Sequence, residues 1–471
     1  MTGLSKVNIE PNQPLTSGTE GVKGDNGDRR RWFAVKLPAF GALAKIFYSM
    51  ADQGLAVGGG FLANILLART QTKEDYGIFA LTYSAFSFLL GLYYAAILEP
   101  CTVYGAGRYR ERFSEYVHLI LRTNRILCFL LTAVLLLSCL LLSWICPQLM
   151  SGAAWGLALA AGIMLSAYLI RRLFYVQRQP ALAAATSLAF FVFLSGELWL
   201  LKTIHRIDSF AVLISLALGW VVPWVIFGRQ LRSGRGTRTF IECEPDYWKH
   251  HWNYSKWVLA TAFVFQFTQQ GYYWLVGIFL SAREVANLRA MYLLVGPVEQ
   301  VFIALSLLMV PALARHYAAK DMRKLFALWK KYAMGVLVVS AVYALGTRLA
   351  GQSIVHILYE GKYDGLGRYL FALTFVPLIL WLGTTISHAL NAMEKPKFQF
   401  WAYVCSGTCT FAVGIPLVIR LGLWGAVYGM LVSGTSYTLA LAFSFAVSFF
   451  RLPTEVKRMG LGSHAGVDAH V

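Results

Sequence analysis

The chain has 471 residues, of which 57% are hydrophobic, 15% aromatic and only 14% charged, too little polar matter to clothe a soluble globule of that size. Its formal net charge of +19 comes from lysines and arginines placed between long apolar runs. That pattern excludes a nucleic-acid binder in favour of a membrane protein whose basic connections meet anionic lipid heads.

Residues 1–30 are rich in Gly, Asn, Asp and Pro and lack apolar periodicity, which predicts a disordered tail. They are not a cleaved leader, because the first apolar run starts late and is long. A helix rises about 1.5 Å per residue and must cover roughly 30 Å of hydrocarbon. Runs that meet this length predict spans at 46–68, 77–98, 126–145, 152–170, 181–201, 210–227, 257–280, 291–313, 332–346, 370–390, 398–419 and 423–449. The expected fold is therefore an all-α polytopic membrane protein of about twelve transmembrane helices.

Of the 42 lysines and arginines, 32 fall in the connections on the side of both termini and 10 on the other. This bias predicts cytoplasmic termini and an even number of spans. The longest central connection, 229–256, divides a first half at 31–228 from a second at 257–450, followed by a cytoplasmic tail at 451–471. The seven cysteines, odd in number and mostly inside spans, form no disulfide framework.

Equivalent places in the two halves carry similar residues. Pro100 and Pro311 are 211 apart, Gln177-Arg178-Gln179-Pro180 and Met393-Glu394-Lys395-Pro396 are 216 apart, and Ser209-Phe210-Ala211-Val212 lies 215 before Trp424-Gly425-Ala426-Val427. A duplicated six-helix unit follows, with a central cleft between halves related by an axis along the membrane normal. Each half also has a basic stretch on the cytoplasmic side, Tyr109, Phe113, Tyr116 and Ile120 among arginines in one and residues 315–331 in the other. These read as interfacial helices or as solvated connecting helices.

The segments Ala51-Asp52-Gln53-Gly54, Phe61-Leu62-Ala63-Asn64-Ile65-Leu66-Leu67-Ala68-Arg69, Asp75-Tyr76-Gly77-Ile78-Phe79-Ala80-Leu81 and Glu99-Pro100 resemble the start of bacterial polysaccharide-biosynthesis flippases. These are the O-antigen and exopolysaccharide flippases of the multidrug/oligosaccharidyl-lipid/polysaccharide exporter superfamily. The resemblance is sharpest over residues 46–125. It implies a multi-pass protein of the bacterial inner membrane that moves a polyprenyl-diphosphate-linked oligosaccharide to the outer leaflet for lipopolysaccharide or exopolysaccharide synthesis. Other membrane proteins of that synthesis would be its partners. Many relatives have fourteen spans, whereas twelve are read here.

Ionisable groups at membrane depth cost a few kcal/mol and are functional candidates. The acids are Asp52, Glu99, Glu197 and Glu299. Asp52 precedes a glycine-rich stretch and Glu299 follows Gly296-Pro297, which predicts a kinked helix opposite a loosened one. Two readings fit: these acids take up a proton or sodium ion that couples to substrate movement, or each is neutral or paired within its own bundle. No other cofactor and no metal site is expected.

A diphosphate needs Arg or Lys. Arg171, Arg172 and Lys256 at cytoplasmic ends of spans and Arg69, Arg283 and Arg289 at outer ends read first as topological anchors and second as substrate contacts; on the flippase reading, Arg171 and Arg172 are the candidates for loading the diphosphate. Gln266, Gln269, Gln270 and Tyr273 suit sugar hydroxyls and faces, or serve interhelical hydrogen bonds. His388 with Asn391 is either a titratable pair or a packing histidine.

Two other functions remain open at this level. A small-molecule cation exporter of the same superfamily would share the halves and the acids. A membrane glycan ligase or polymerase would rely on Arg348, His356, Glu360 and Asp364 in the longest outer connection, but phosphate-binding, metal and nucleophile motifs are absent.

Overall fold

The computed structural model describes residues 40–145, 147, 151–228 and 247–462. The expected 1–30 tail, most of the 229–256 linker and the end of the 451–471 tail lie outside these residues. The chain from Lys45 onward forms one compact unit, and the first turn of α1 falls in a separate one.

The described residues are helical throughout. The first half contains α1 (Phe40–Thr70), α2 (Lys73–Tyr93) running through a π-turn at Tyr94–Leu98 into α3 (Glu99–Ala106), α4 (Phe113–Ile145), α5 (Gly152–Val176), α6 (Pro180–Thr203) and α7 (Ser209–Phe227). The second contains α8 (Tyr247–Phe279), α9 (Ala282–Ala318), α10 (Met322–Tyr359), α11 (Gly367–Leu373) with α12 (Phe375–Ala392), α13 (Lys397–Cys409) joined by a π-turn to α14 (Ile415–Leu421), and α15 (Leu423–Gly462). Eleven of these spans are long and apolar enough to cross a bilayer. The twelfth is α8, 33 residues long and less apolar because of its glutamines and tyrosines; it packs antiparallel to α9 across the short turn at 280–281.

Several helices outrun their apolar runs. The segment expected at 332–346 is the middle of α10, 38 residues long, whose charged first turns and polar last turns remain helical because backbone hydrogen bonding does not require apolar side chains. The expected interfacial helices are likewise the ends of spans: residues 315–331 close α9 and open α10, while Tyr116 and Ile120 lie in the first turns of α4, fully buried against protein. Pro377, which has no N–H to donate, follows the break at Thr374 that splits the tenth span.

The two turns that the sequence pairs have like backbones, a form that His205, Lys320 and Glu360 share. Arg178 and Glu394, 216 residues apart, both have φ 60°. Around them Gln179 N–H donates to the Phe174 carbonyl and Lys395 N–H to the Leu390 carbonyl, each at 2.9 Å. Both turns are Schellman caps followed by the proline that opens the next helix.

The halves meet along two seams. In one, α2 and α3 lie along the whole of α8: Trp274 donates from Nε1 to Ser84 Oγ at 2.8 Å, Phe88 packs edge-on to Phe263 and Phe267, and Gly91 makes room for the Gln266 side chain. The Ala96 carbonyl would pair in an α-helix with the N–H that Pro100 lacks, and here it accepts from Ser255 Oγ of α8 at 3.1 Å. The second seam closes the end of the bundle at which α1 turns into α2. Arg69 at the end of α1 donates to the Leu358 carbonyl at 2.6 Å and the Ile357 carbonyl at 3.0 Å and pairs with Glu360 at 3.0 Å. Lys362 reaches the Ala68 carbonyl at 3.0 Å.

One hydrophobic core joins both halves and takes α9 only as far as Phe302, whereas Met309 and Leu313 belong to a second core built wholly from second-half residues. A Cβ added at Gly54 of α1 or at Gly296 of α9 would meet nothing within 4 Å.

At the second seam a Cβ on Gly77 would stand 1.8 Å from the Ala282 carbonyl oxygen. We therefore expect Gly77→Ala to force α2 from α9 and destabilise the protein by about 1–3 kcal/mol, read as a lower thermal midpoint in detergent, while Gly296→Ala, facing open space, leaves the midpoint unchanged or slightly raised.

Candidate functional site

The first half builds a charged network on α1, α5 and α6. Asp52 is fully buried. Arg171 donates from Nε to Oδ1 at 3.0 Å and from Nη2 to Oδ2 at 2.7 Å, Tyr175 from its hydroxyl to Oδ2 at 2.8 Å, and Ser187 from Oγ to Oδ1 at 2.5 Å. Each carboxylate oxygen thus receives two donors. The guanidinium is covered by the Trp220 and Tyr168 rings at 5.6 and 5.9 Å. This closeness depends on the glycines of α1, since a Cβ at Gly59 would stand 2.6 Å from the Phe190 ring.

Asp52 and Arg171, which the sequence suggests for two separate tasks, are therefore one bidentate pair. In this geometry Asp52 has no oxygen free for a cation, and Arg171 has little charge to offer a diphosphate. Taking up an ion at Asp52 requires Arg171 to turn away. Arg172, next along α5, has a different setting: it is half-buried, with its guanidinium 4.7 Å from the exposed ring of Tyr94 at the π-turn of α2.

In the second half, Glu299 of α9 accepts from the Tyr292 hydroxyl at 3.1 Å. Tyr292 also lines a cavity of about 40 Å³ with Thr268, Gln269, Tyr273, Ser406 and Ser433. The Tyr273 hydroxyl is buried without a hydrogen-bond partner. Behind it, Tyr272 and Ser433 pair at 2.8 Å and Thr410 donates to Ser433 at 3.0 Å. Gln269 and Tyr273 thus share a cavity wall with the residue that holds Glu299, whereas Gln266 packs on Gly91 in the seam between the halves and Gln270 is half-buried on the same helix.

Arg289 corrects the sequence reading. Expected as an outer anchor, it lies two turns inside α9, donating from Nε to Asn64 Oδ1 of α1 at 3.2 Å, with the Tyr83 and Tyr273 rings at 5.1 and 5.8 Å. It joins the two halves. A signal for it exists in the sequence: Ser281 caps the Glu284 N–H at 3.3 Å, and Ser-x-x-Glu marks a helix start, so Arg289 falls within the span rather than before it.

The remaining candidates belong to neither network. Glu99 accepts from the Tyr254 hydroxyl at 3.1 Å in the seam between α3 and α8. Glu197 is half-buried on α6, with Oε2 unpartnered. His388 has a buried, unpartnered Nε2, and Asn391 donates to Gln399 at 3.1 Å across the turn between α12 and α13. The outer residues considered for ligase chemistry serve structure: Glu360 pairs with Arg69, and Asp364 accepts from Gln352 at 3.3 Å and contacts His356 at 2.9 Å.

Sequence reasoning also missed an aromatic cluster where the halves meet at the start of α8. His251, near the start of α8 and before its membrane portion, is buried among Tyr104, Tyr116 and Tyr247, with Nε2 at 3.2 Å from the Tyr116 hydroxyl. Burial, and secondly the neighbouring His250, lower its pKa from 6.5 to about 4.

No protein-family model and no curated protein sequence matches the chain. Solved structures do. An inward-facing multidrug resistance MATE family transporter of the MOP superfamily is 13% identical, with a TM-score of 0.69 over 88% of this chain and 99% of the other. The lipid II flippase MurJ in an inward closed conformation is 15% identical, with a TM-score of 0.65 over 85% and 87%. An outward-facing MATE family transporter is 12% identical, with a TM-score of 0.60 over 88% and 96%. The chain has the fold of the MOP superfamily transporters.

Two predictions follow from the charges. Asp52→Asn leaves a buried guanidinium without its counter-charge, a loss of about 3–5 kcal/mol; thermal unfolding in detergent should show it, and Asp52→Asn with Arg171→Gln should recover most of it. For His251 the folded state resists protonation, so its contribution to stability is complete above pH 6.5 and declines as the pH falls toward about 4, by about 3 kcal/mol at most. His251→Gln should flatten that acid limb of the thermal-midpoint profile.

Proposed function

We propose that this protein is an alternating-access flippase of the bacterial inner membrane, with both termini cytoplasmic, that moves a polyprenyl-diphosphate-linked oligosaccharide from the cytoplasmic to the outer leaflet. The observation that carries this reading is the distribution of charge between the halves. The acid of α1 is neutralised by Arg171, and the acids Glu99 and Glu299 are held by tyrosine hydroxyls, whereas two arginines have aromatic rings beside them: Arg172 at the exposed Tyr94 within the first half, and Arg289 between α1 and α9. An anionic headgroup suits them.

The conformation supports the same reading. The halves are joined by Arg69, Glu360 and Lys362 at the end that the distribution of basic residues assigns to the outer side, and a separate second-half core takes the far end of α9. A lipid-linked substrate can enter at that far end from the side with its headgroup between the halves and its polyprenyl tail in the bilayer. Gln269 and Tyr273 then offer an amide and a ring to the sugar, and a proton or sodium ion at Asp52 or Glu299 biases the equilibrium between inward and outward states.

A second reading, export of a small organic cation, has its own support. Glu299 is an acid held by Tyr292, which lines the aromatic-walled cavity with Tyr273, and aromatic rings with a carboxylate suit a cation.

Translocation in proteoliposomes separates the two. The flippase reading expects protein-dependent movement of a labelled polyprenyl-diphosphate oligosaccharide, reduced about tenfold in Arg172→Gln, with the gradient dependence lost in Glu299→Gln. If the wild type leaves this lipid unmoved and expels small organic cations, the exporter reading holds instead.

A further inference from the structure

A second cavity lies apart from the space between the halves, in the first half alone. It has a volume of about 230 Å³ and is walled by His118, Asn124 and Arg125 of α4, Ser166 of α5, and Trp224 and Gly228 at the end of α7. One water needs roughly 10–15 Å³ of such space, so the cavity takes a group the size of a phosphate. Its walls come from the first turns of α4 and the last turns of α5 and α7, all at the cytoplasmic ends of these helices. A group held there sits level with the headgroups of the cytoplasmic leaflet.

The lining mixes polar side chains with Leu121 and Ile170 and carries no acid. Arg125 is exposed and brings a full positive charge. The buried Nε2 of His118 has no hydrogen-bond partner, and a buried polar atom left so costs free energy until something pairs with it. Asn124 and Ser166 are held in place by each other, with Asn124 Nδ2 donating to Ser166 Oγ at 3.0 Å. An arginine and an imidazole over an acid-free hollow recognise an oxyanion. Next along the two helices from the lining residues Arg125 and Trp224, Phe129 and Leu130 on α4 and Val225 and Ile226 on α7 are all exposed, and such apolar surface suits acyl chains.

We propose that this cavity binds the phosphate of an anionic phospholipid of the cytoplasmic leaflet, with Arg125 and His118 on the phosphate and the acyl chains along α4 and α7. The bound lipid touches the moving parts. Asn124 Oδ1 accepts from the Tyr93 hydroxyl at 2.5 Å, and Tyr93 is the last residue of α2 before its π-turn. Occupancy of the site is thereby linked to the helix that forms the seam with α8.

The test is lipid retention by the delipidated full chain, followed by native mass spectrometry in detergent with added phosphatidylglycerol, phosphatidylcholine or inorganic phosphate. The expected result is a retained phosphatidylglycerol that phosphatidylcholine does not replace, with retention about tenfold weaker in Arg125→Gln and in His118→Leu and unchanged in Arg323→Gln, a basic residue of α10. Arg125 is exposed, so its variant decides the matter if His118→Leu fails to fold. The proposal is overturned if Arg125→Gln retains the lipid as the wild type does, or if phosphatidylcholine binds equally well. Displacement of the lipid by inorganic phosphate at equal concentration assigns the site to free anions and overturns the lipid assignment.

Discussion

Hydrocarbon offers no hydrogen bonds, and the arrangement of this protein follows from that constraint. Every polar group at membrane depth must find its partner within the chain or lose stability. Helices satisfy the backbone, and the places where they fall short are repaired from a neighbour. The Ala96 carbonyl left open by Pro100 takes its proton from Ser255 in the other half, so a local defect in α2 becomes a bond between the halves. Asp52 meets the same demand with four donor contacts from three residues.

This economy explains why the two seams differ. Along α2 and α8, aromatic rings and small residues interlock over the full length of the helices. The second seam instead uses long cationic side chains on carbonyls exposed at helix ends: Arg69 on Leu358 and Ile357, and Lys362 on Ala68. Contacts of this kind exchange readily with water because both partners are well hydrated when apart. A seam built from them parts more easily than a buried apolar core, and the core shared by the halves takes α9 only as far as Phe302, beyond which Met309 and Leu313 pack among second-half residues.

The charge pattern gives the molecule its chemical bias. A glutamate held by a single tyrosine and an aspartate held by an arginine respond differently to an arriving ion. Glu299 has one oxygen without a described donor, whereas Asp52 must first lose Arg171. The two acids, alike in sequence, therefore sit at opposite ends of the range of availability. Arg172 and Arg289, in turn, are arginines whose main described neighbours are aromatic faces, which stabilise the charge without neutralising it.

Sequence alone determined the all-helical fold of about twelve spans in two halves and the like turns before Pro180 and Pro396. Each is a local property: hydropathy, basic flanks and a helix cap are set by residues within one or two turns of one another. It also picked out Asp52, Glu299, Gln269 and Tyr273 as unusual at their depth, and placed Arg171 at the end of a span. Only the tertiary structure decided that Asp52 and Arg171, 119 residues apart, neutralise each other, that Arg289 lies between the halves rather than at a membrane surface, and that a histidine is buried among tyrosines in the seam at the start of α8. The physical reason is that a charge is defined by what surrounds it, and in a bundle of packed helices those surroundings are drawn from segments distant along the chain.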